Sequence, residues 1–171
     1  GTNSLCAGGD GTTTGATATS IGTLNDATGD YSFAAGYNST ASGLVSFAMG
    51  SGATASGSKS TAFGEGNNIA GELDFAVGAY NTSSPGLSYG NLIAGYDNDI
   101  TSYSSGAASS LNLLTGTLNS IGSISSTNGS GDFNIVGGAN NKVGHGVIST
   151  TAVSSSSNKN IVQGTFNTML A

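Results

Sequence analysis

The side chains that most often carry catalysis are scarce in this chain and stand apart from one another. His145 is the only histidine, and no nucleophile motif accompanies it. A Ser-His-Asp arrangement is defined by geometry, and the spacing of these residues indicates none. We therefore expect no catalytic site and no enzymatic activity.

Two short segments offer oxygen ligands for a metal ion. Asp97, Asn98 and Asp99 are consecutive, and residues 8–11 read Gly-Gly-Asp-Gly, a faint likeness to calcium-binding glycine loops. Calcium takes about six to eight oxygen ligands, and both segments contain few carboxylates. We expect no metal and no cofactor, and calcium is the alternative.

Two further residue types invite a functional interpretation. Cys6 is the only cysteine, which excludes a disulfide within the chain. We expect it to be a small buried hydrophobic residue, with an inter-chain or redox role as the alternative. The threonines of residues 12–19 suggest an ice-binding surface, but such an array must recur at one position of a repeat, and we find no such recurrence.

The composition excludes several classes of partner. The 171 residues include 29 glycines, three Lys or Arg and nine Asp or Glu, for a net charge of −6. Only 7% of residues are charged, against about a quarter in an average domain. Three cations cannot track a phosphate backbone, so we expect no nucleic-acid partner. The apolar runs are far shorter than the roughly 20 residues that span a bilayer, so we expect no membrane insertion by this segment.

Glycine recurs at a regular spacing that divides the chain into ten repeats. The first six of these marker glycines are 14 residues apart, and the later steps are 17, 21, 22 and 26 residues. The marker glycines are Gly8, Gly22, Gly36, Gly50, Gly64, Gly78, Gly95, Gly116, Gly138 and Gly164. Positions are numbered below from the marker of each repeat.

Asparagine stands at position +3 in seven repeats, and small or apolar residues are found at position +5. The asparagines are Asn25, Asn67, Asn81, Asn98, Asn119, Asn141 and Asn167. Glycine and asparagine suit turns with unusual dihedral angles, and stacked asparagines form hydrogen-bonded ladders. We interpret both sets as structural turn residues.

A 14-residue repeat is too short to include a helix, but it suits two short strands joined by two tight turns. Stacking such repeats gives a parallel β-solenoid. The sequence therefore predicts an all-β parallel β-roll of about ten coils that forms one continuous domain. Residues 1–83 are its regular part, and residues 84–171 continue it with longer coils and Ser/Gly-rich insertions.

The strand before each marker is non-polar at both position −3 and position −2, which point to opposite faces. We assign position −3 to the core: Phe33, Phe47, Phe75, Leu92, Leu113, Ile135 and Ile161. We assign position −2 to a subunit interface: Ala34, Ala48, Ala62, Ala76, Ile93, Leu114, Val136 and Val162. Because two apolar faces need two covering surfaces, we expect self-association, with a parallel homotrimer favoured over a monomer.

All extra residues of the longer coils fall at one corner, between position +5 and position −4 of the next coil. Insertions on one edge of a repeat protein often form its binding surface. Tyr103 and Ser104, in the second insertion, are the candidate binding residues. The alternative is that the insertions only thicken the C-terminal half of the rod.

The text Ser-Phe-Ala-Ala-Gly, followed by Ser-Phe-Ala-Met-Gly one repeat later, resembles the 14-residue head repeats of the trimeric autotransporter adhesins, the YadA-like family. These repeats typically read Ser-Val-Ala-Ile-Gly. The likeness is clear over residues 27–83, extends in weaker form back to Gly1 and fades from Pro85 onward. It implies a left-handed parallel β-roll with three chains around one axis. It also implies an extracellular location on the bacterial cell surface and binding to host matrix or to glycans and proteins of other surfaces.

The resemblance favours a structural, adhesive rod that binds through many weak contacts. Two alternatives use the same fold. A filament subunit would stack end to end through uncapped terminal coils, and a phage tail fibre would contain the roll as one module.

Overall fold

The computed structural model describes residues 1–84, 88–102, 109–123, 133–143 and 159–169, and these residues contain strands and turns without a helix. Each repeat contributes one strand to each of two sheets. The first sheet consists of β1 (Leu5–Gly9), β3 (Thr19–Thr23), β5 (Phe33–Tyr37), β7 (Phe47–Ser51), β9 (Thr61–Glu65), β11 (Phe75–Ala79), β14 (Leu92–Tyr96), β17 (Leu113–Thr117), β19 (Phe133–Ala139) and β21 (Lys159–Thr165).

The second sheet is built from shorter strands. It consists of β2 (Thr12–Thr13), β4 (Asp26–Ala27), β6 (Thr40–Ala41), β8 (Thr54–Ala55), β10 (Asn68–Ile69), β12 (Thr82–Ser83), β15 (Asp99–Ser102), β18 (Ser120–Ser123), β20 (Lys142–Val143) and β22 (Thr168–Met169). Every strand of both sheets pairs in parallel with the equivalent strand of the neighbouring coil. The predicted parallel β-solenoid of ten coils is confirmed.

The longer coils stay in register with the regular ones. Gly78 pairs with Gly95 across the first lengthened coil, and Gly138 pairs with Gly164 across the last. Equivalent residues therefore form continuous columns along the rod, including across residue 84.

The marker glycines are required by both dihedral angle and space. All ten have φ between 108° and 146°, a region that residues with a Cβ rarely adopt. A Cβ on Gly78 would also collide with the carbonyl oxygen of Gly95 in the next coil. At position +3, by contrast, the left-handed residue is the one before the asparagine, for example Leu24 with φ 57° before Asn25. The asparagines therefore act through their side chains.

The core is a narrow strip between the two sheets. It is formed by position −2 of the first sheet and position +5 of the second, for example Ala34 with Ala41 and Ile93 with Ile100, all with no exposed surface. The core side chains become larger along the rod, since alanine dominates in the early coils and Ile, Leu and Val dominate in the later ones.

The assignment of faces from the sequence was wrong within the single chain. The residues assigned to a subunit interface are all core residues: Ala34, Ala48, Ala62, Ala76, Ile93, Leu114, Val136 and Val162. The residues assigned to the core point outward and are half-buried or exposed: Phe33, Phe47, Phe75, Leu92, Leu113, Ile135 and Ile161. The physical reason is width, because two strands joined by tight turns leave room only for small or aliphatic side chains between them.

Each insertion connects a strand of the second sheet to the next strand of the first, and in the later coils its first residues belong to β15 and β18. Two further short strands, β13 (Ser88–Tyr89) and β16 (Ser109–Ser110), pair in parallel and form a separate two-stranded sheet. Tyr103, Ser104 and His145 lie outside the described residues.

Candidate functional site

The outer face of the first sheet is a candidate for a functional surface. It is formed by positions −3 and −1, and apolar residues occupy most of both columns. Many of these side chains are strongly exposed: Leu5 54%, Ile21 42%, Phe75 40%, Val77 42%, Leu92 42% and Ile161 75%. Scattered exposed hydrophobic residues are ordinary, but a contiguous apolar patch marks an interaction site.

Four phenylalanines form a ladder in the middle of this face. The rings of Phe33 and Phe47 stack with centroids 4.5 Å apart and an interplanar angle of 9°. Phe63 follows at 5.2 Å from Phe47, and Phe75 at 6.4 Å from Phe63. The strand register aligns Phe33 with Phe47, whereas Phe63 lies diagonally between Phe47 and Phe75, opposite Met49 and Val77. The four rings together form an aromatic surface across four coils.

The outer face of the second sheet is of the opposite character. Its position +4 carries a polar or charged residue in every coil: Thr12, Asp26, Thr40, Thr54, Asn68, Thr82, Asp99, Ser120, Lys142 and Thr168. No charged residue occupies position −3 or −1 of the first sheet. A solvent-exposed sheet face is usually polar. The outer face of the second sheet therefore suits contact with water, and the outer face of the first sheet suits contact with another apolar surface.

Thr12, Thr40, Thr54 and Thr82 share the +4 column, so threonine does recur at one position of the coil, contrary to the sequence interpretation. The cluster at residues 12–19 hid this recurrence because it mixes several coil positions. Asp26 and Asn68 interrupt the column.

A buried asparagine ladder fixes the turn at position +3. Asn98 donates from Nδ2 to Oδ1 of Asn81 at 3.0 Å, and its own Oδ1 accepts from Nδ2 of Asn119 at 3.1 Å. The Nδ2 of Asn98 also donates to the carbonyl oxygens of Ala94 and Gly116. Asn81, Asn98, Asn119 and Asn141 therefore bind the coils on both sides as well as their own turn. Asn25 and Asn67 bind their own turn and the following coil.

A second ladder at position −4 was not assigned from the sequence. Asn91 donates from Nδ2 to Asp74 Oδ1 at 3.0 Å, and Asn112 and Asn134 each donate to the preceding asparagine at 2.8 Å. All four side chains are buried. The recurrence of asparagine directly before the apolar pair in later coils was the available signal.

At one corner, where the strands of the first sheet end, aromatic and acidic side chains meet. Tyr80 donates its hydroxyl to Glu65 Oε1 at 2.6 Å, and its ring lies edge-on to that of Tyr96 with centroids 5.5 Å apart. The hydrogen bond and the negative charge of Glu65 raise the pKa of Tyr80. Gly66 leaves room for this arrangement, because a Cβ there would meet the ring of Tyr80.

The acidic segment around Asp99 does not assemble a ligand set. Burial, and then the neighbouring carboxylate of Asp97, raises the pKa of Asp99, whose buried Oδ1 has no hydrogen-bond partner. Asn98 points into the ladder instead. Within the described ranges no group of three or more His, Cys, Asp or Glu side chains is placed to hold a metal ion.

The interpretation of Cys6 as a buried residue was wrong. It occupies position −2 of the first coil, and its side chain is exposed. Its Sγ lies 3.7 Å from the carbonyl oxygen of Gly11.

Comparisons with known proteins leave the fold and these surfaces as the basis for function. No protein-family model matches the chain, and no curated protein matches it. In the part of the chain that the structure describes, no helix is long and apolar enough to cross a membrane.

Proposed function

We propose that the chain is an adhesive extracellular rod that works as a parallel homotrimer, with the outer faces of the three first sheets packed against one another around a common axis. The continuous apolar face that includes the phenylalanine ladder carries this proposal. In a single chain Phe75 and Val77 remain about two-fifths exposed. Burying such side chains stabilises an assembly by roughly 25 cal/mol per Å² of apolar surface.

The resemblance of residues 27–83 to adhesin head repeats supports three chains as the number and the bacterial surface as the location. Cyclic symmetry places the same face of every chain on the axis. It leaves the polar second sheet, with its recurring Thr40, Thr54 and Thr82, on the outside.

Adhesion by such a rod would rest on repetition. Equivalent positions of adjacent coils lie about 4.8 Å apart along the rod, so polar groups such as the hydroxyls of Thr40 and Thr54 form a closely spaced column, and three chains multiply it. Individually weak contacts to matrix proteins or glycans then combine into tight attachment through avidity. We propose that the chain has no catalytic activity and binds no cofactor.

The test of assembly uses two variants in one coil. Phe47→Asp places a charge on the proposed interface, and Thr54→Asp places the same charge on the second sheet at a similarly half-buried position. We expect Phe47→Asp to elute as a monomer in size-exclusion chromatography with light scattering, and Thr54→Asp to remain a trimer. Equal behaviour of the two variants would contradict the proposed interface.

The test of adhesion compares the wild-type protein with the Phe47→Asp variant on surfaces coated with extracellular-matrix proteins, with albumin-coated surfaces as the control. Avidity predicts that the trimer is retained through washing and that the monomer is lost. If neither protein were retained, an adhesive role on these surfaces would be contradicted. Long fibres in electron micrographs would instead favour the filament alternative.

A further inference from the structure

Strand β9 has a positively charged residue near its start and a negatively charged residue at its end. Lys59 precedes the strand by two residues and is exposed, and Glu65 is its last residue and is also exposed. The chain has only three Lys or Arg residues, and Lys59 is the one placed in the middle of the regular coils. The two charges lie in the same coil, at nearly the same height along the rod.

Rotation about a three-fold axis brings the start of a strand in one chain next to the end of the equivalent strand in its neighbour. Resting on the proposed trimer, we infer that Lys59 of each chain forms an ion pair with Glu65 of the adjacent chain. Three equivalent pairs would then close a ring around coil five.

The structure holds Glu65 in position for such a partner. The hydroxyl of Tyr80 in the next coil donates to Oε1 of Glu65, and the ring of Tyr80 is packed against Gly66 and Tyr96. A carboxylate that is already oriented loses less side-chain freedom when it binds a cation.

The pairing selects one register. In the columns of the first sheet, Ser51 and Ala79 occupy the positions equivalent to Glu65 in the two adjacent coils. A shift of one coil in either direction would therefore leave Lys59 opposite a neutral side chain. The apolar face alone repeats at every coil and distinguishes these registers poorly, so the ion pair supplies the specificity.

Chemical cross-linking tests the pair directly. A carbodiimide joins a lysine amine to a carboxylate in contact with it, with loss of water, and Lys59→Arg keeps the charge but removes the reactive amine. We expect wild-type protein to give covalent dimers and trimers that contain a Lys59–Glu65 peptide, and Lys59→Arg to give none. Lys142→Arg, on the outside of the second sheet, is the control that should retain them.

Charge reversal measures the effect on assembly. Lys59→Glu and Glu65→Lys should each move trimer dissociation to roughly two- to tenfold higher protein concentration, because three exposed ion pairs are lost from each trimer. The double reversal should restore the wild-type midpoint, and Lys142→Glu should leave it unchanged. A trimer without the Lys59–Glu65 cross-link, or without rescue by the double reversal, would overturn this inference and leave the trimer intact. A monomeric wild-type protein would overturn both.

Discussion

Replacing Asn67 with alanine should destabilise the protein far more than the same replacement at its neighbour Asn68. Asn67 is fully buried at position +3, whereas Asn68 is exposed on the second sheet. The two variants remove the same atoms from adjacent positions of one coil. Their difference therefore isolates the contribution of the asparagine ladder.

The hydrogen bonds of Asn67 set the magnitude. Its Nδ2 donates to the carbonyl oxygens of Phe63 at 2.6 Å and Gly78 at 3.0 Å. Its Oδ1 accepts from N of Asn81 at 2.9 Å and from Nδ2 of Asn81 at 3.0 Å. At about 1 kcal/mol net for each bond, these contribute about 4 kcal/mol.

Truncation also leaves the buried amide N–H of Asn81 without its acceptor, while the Nδ2 of Asn81 keeps Val77 and Gly95. We therefore expect Asn67→Ala to cost about 3–5 kcal/mol. For a chain of this size that corresponds to a melting temperature lower by roughly 6–20 °C.

Thermal unfolding followed by circular dichroism measures this difference. All proteins are compared at one concentration, because assembly contributes to apparent stability. Asn68→Ala should remain within about 0.5 kcal/mol of wild type. Hydrogen exchange should also accelerate at the amide of Asn81. If the two variants melted together, the ladder would not be a source of stability and the reasoning would be refuted.

Three further outcomes are expected from the same melting assay. Gly78→Ala should cost at least about 3 kcal/mol or prevent folding, because of backbone strain and collision, whereas Gly9→Ala, with open space around its Cβ position, should be mild. Leu114→Ala should cost about 2–5 kcal/mol as a cavity in the core, and Leu118→Ala, at 47% exposure, much less. Asp99→Asn should stabilise the protein near pH 7 but not near pH 3: the raised pKa of Asp99 means that ionisation costs more in the folded chain, so its penalty appears as pH rises above the unfolded value. A melting temperature for Asp99→Asn that is unchanged near pH 7 would contradict that assignment.

The sequence predicts the fold because the marker glycines are needed at one position of every coil. Gly95 and Gly164 can be recognised as marker glycines although their spacing is not 14 residues, since the residues around the marker keep the same pattern where the coils lengthen. The column of asparagines at position +3 follows in the same way. Residue types that the local backbone requires can therefore be identified from the sequence alone.

The sequence does not reveal as easily which face of the strand is inside. Alternation separates Phe47 from Ala48 but is silent about which of them meets the opposite sheet. The decisive quantity is the width of the coil, which is set by the turns. One signal was present: positions −2 and +5 change together, from Ala34 with Ala41 to Ile93 with Ile100, as expected of side chains that share one core.

The candidate interface was harder to place than the fold for the same reason. The side chains of Phe33 and Phe75 look like core residues by type, and only the distance between the two sheets excludes them from the interior. The corner formed by Glu65, Tyr80 and Tyr96 depends on contacts between consecutive coils and carries no repeated text.

The mass of the assembly in solution tests the central claim most directly. Sedimentation equilibrium of the wild-type protein at micromolar concentration should give three times the chain mass of 16.5 kDa, about 50 kDa. A stable species of one chain mass across that concentration range would contradict the proposal that the apolar face of the first sheet is a subunit interface.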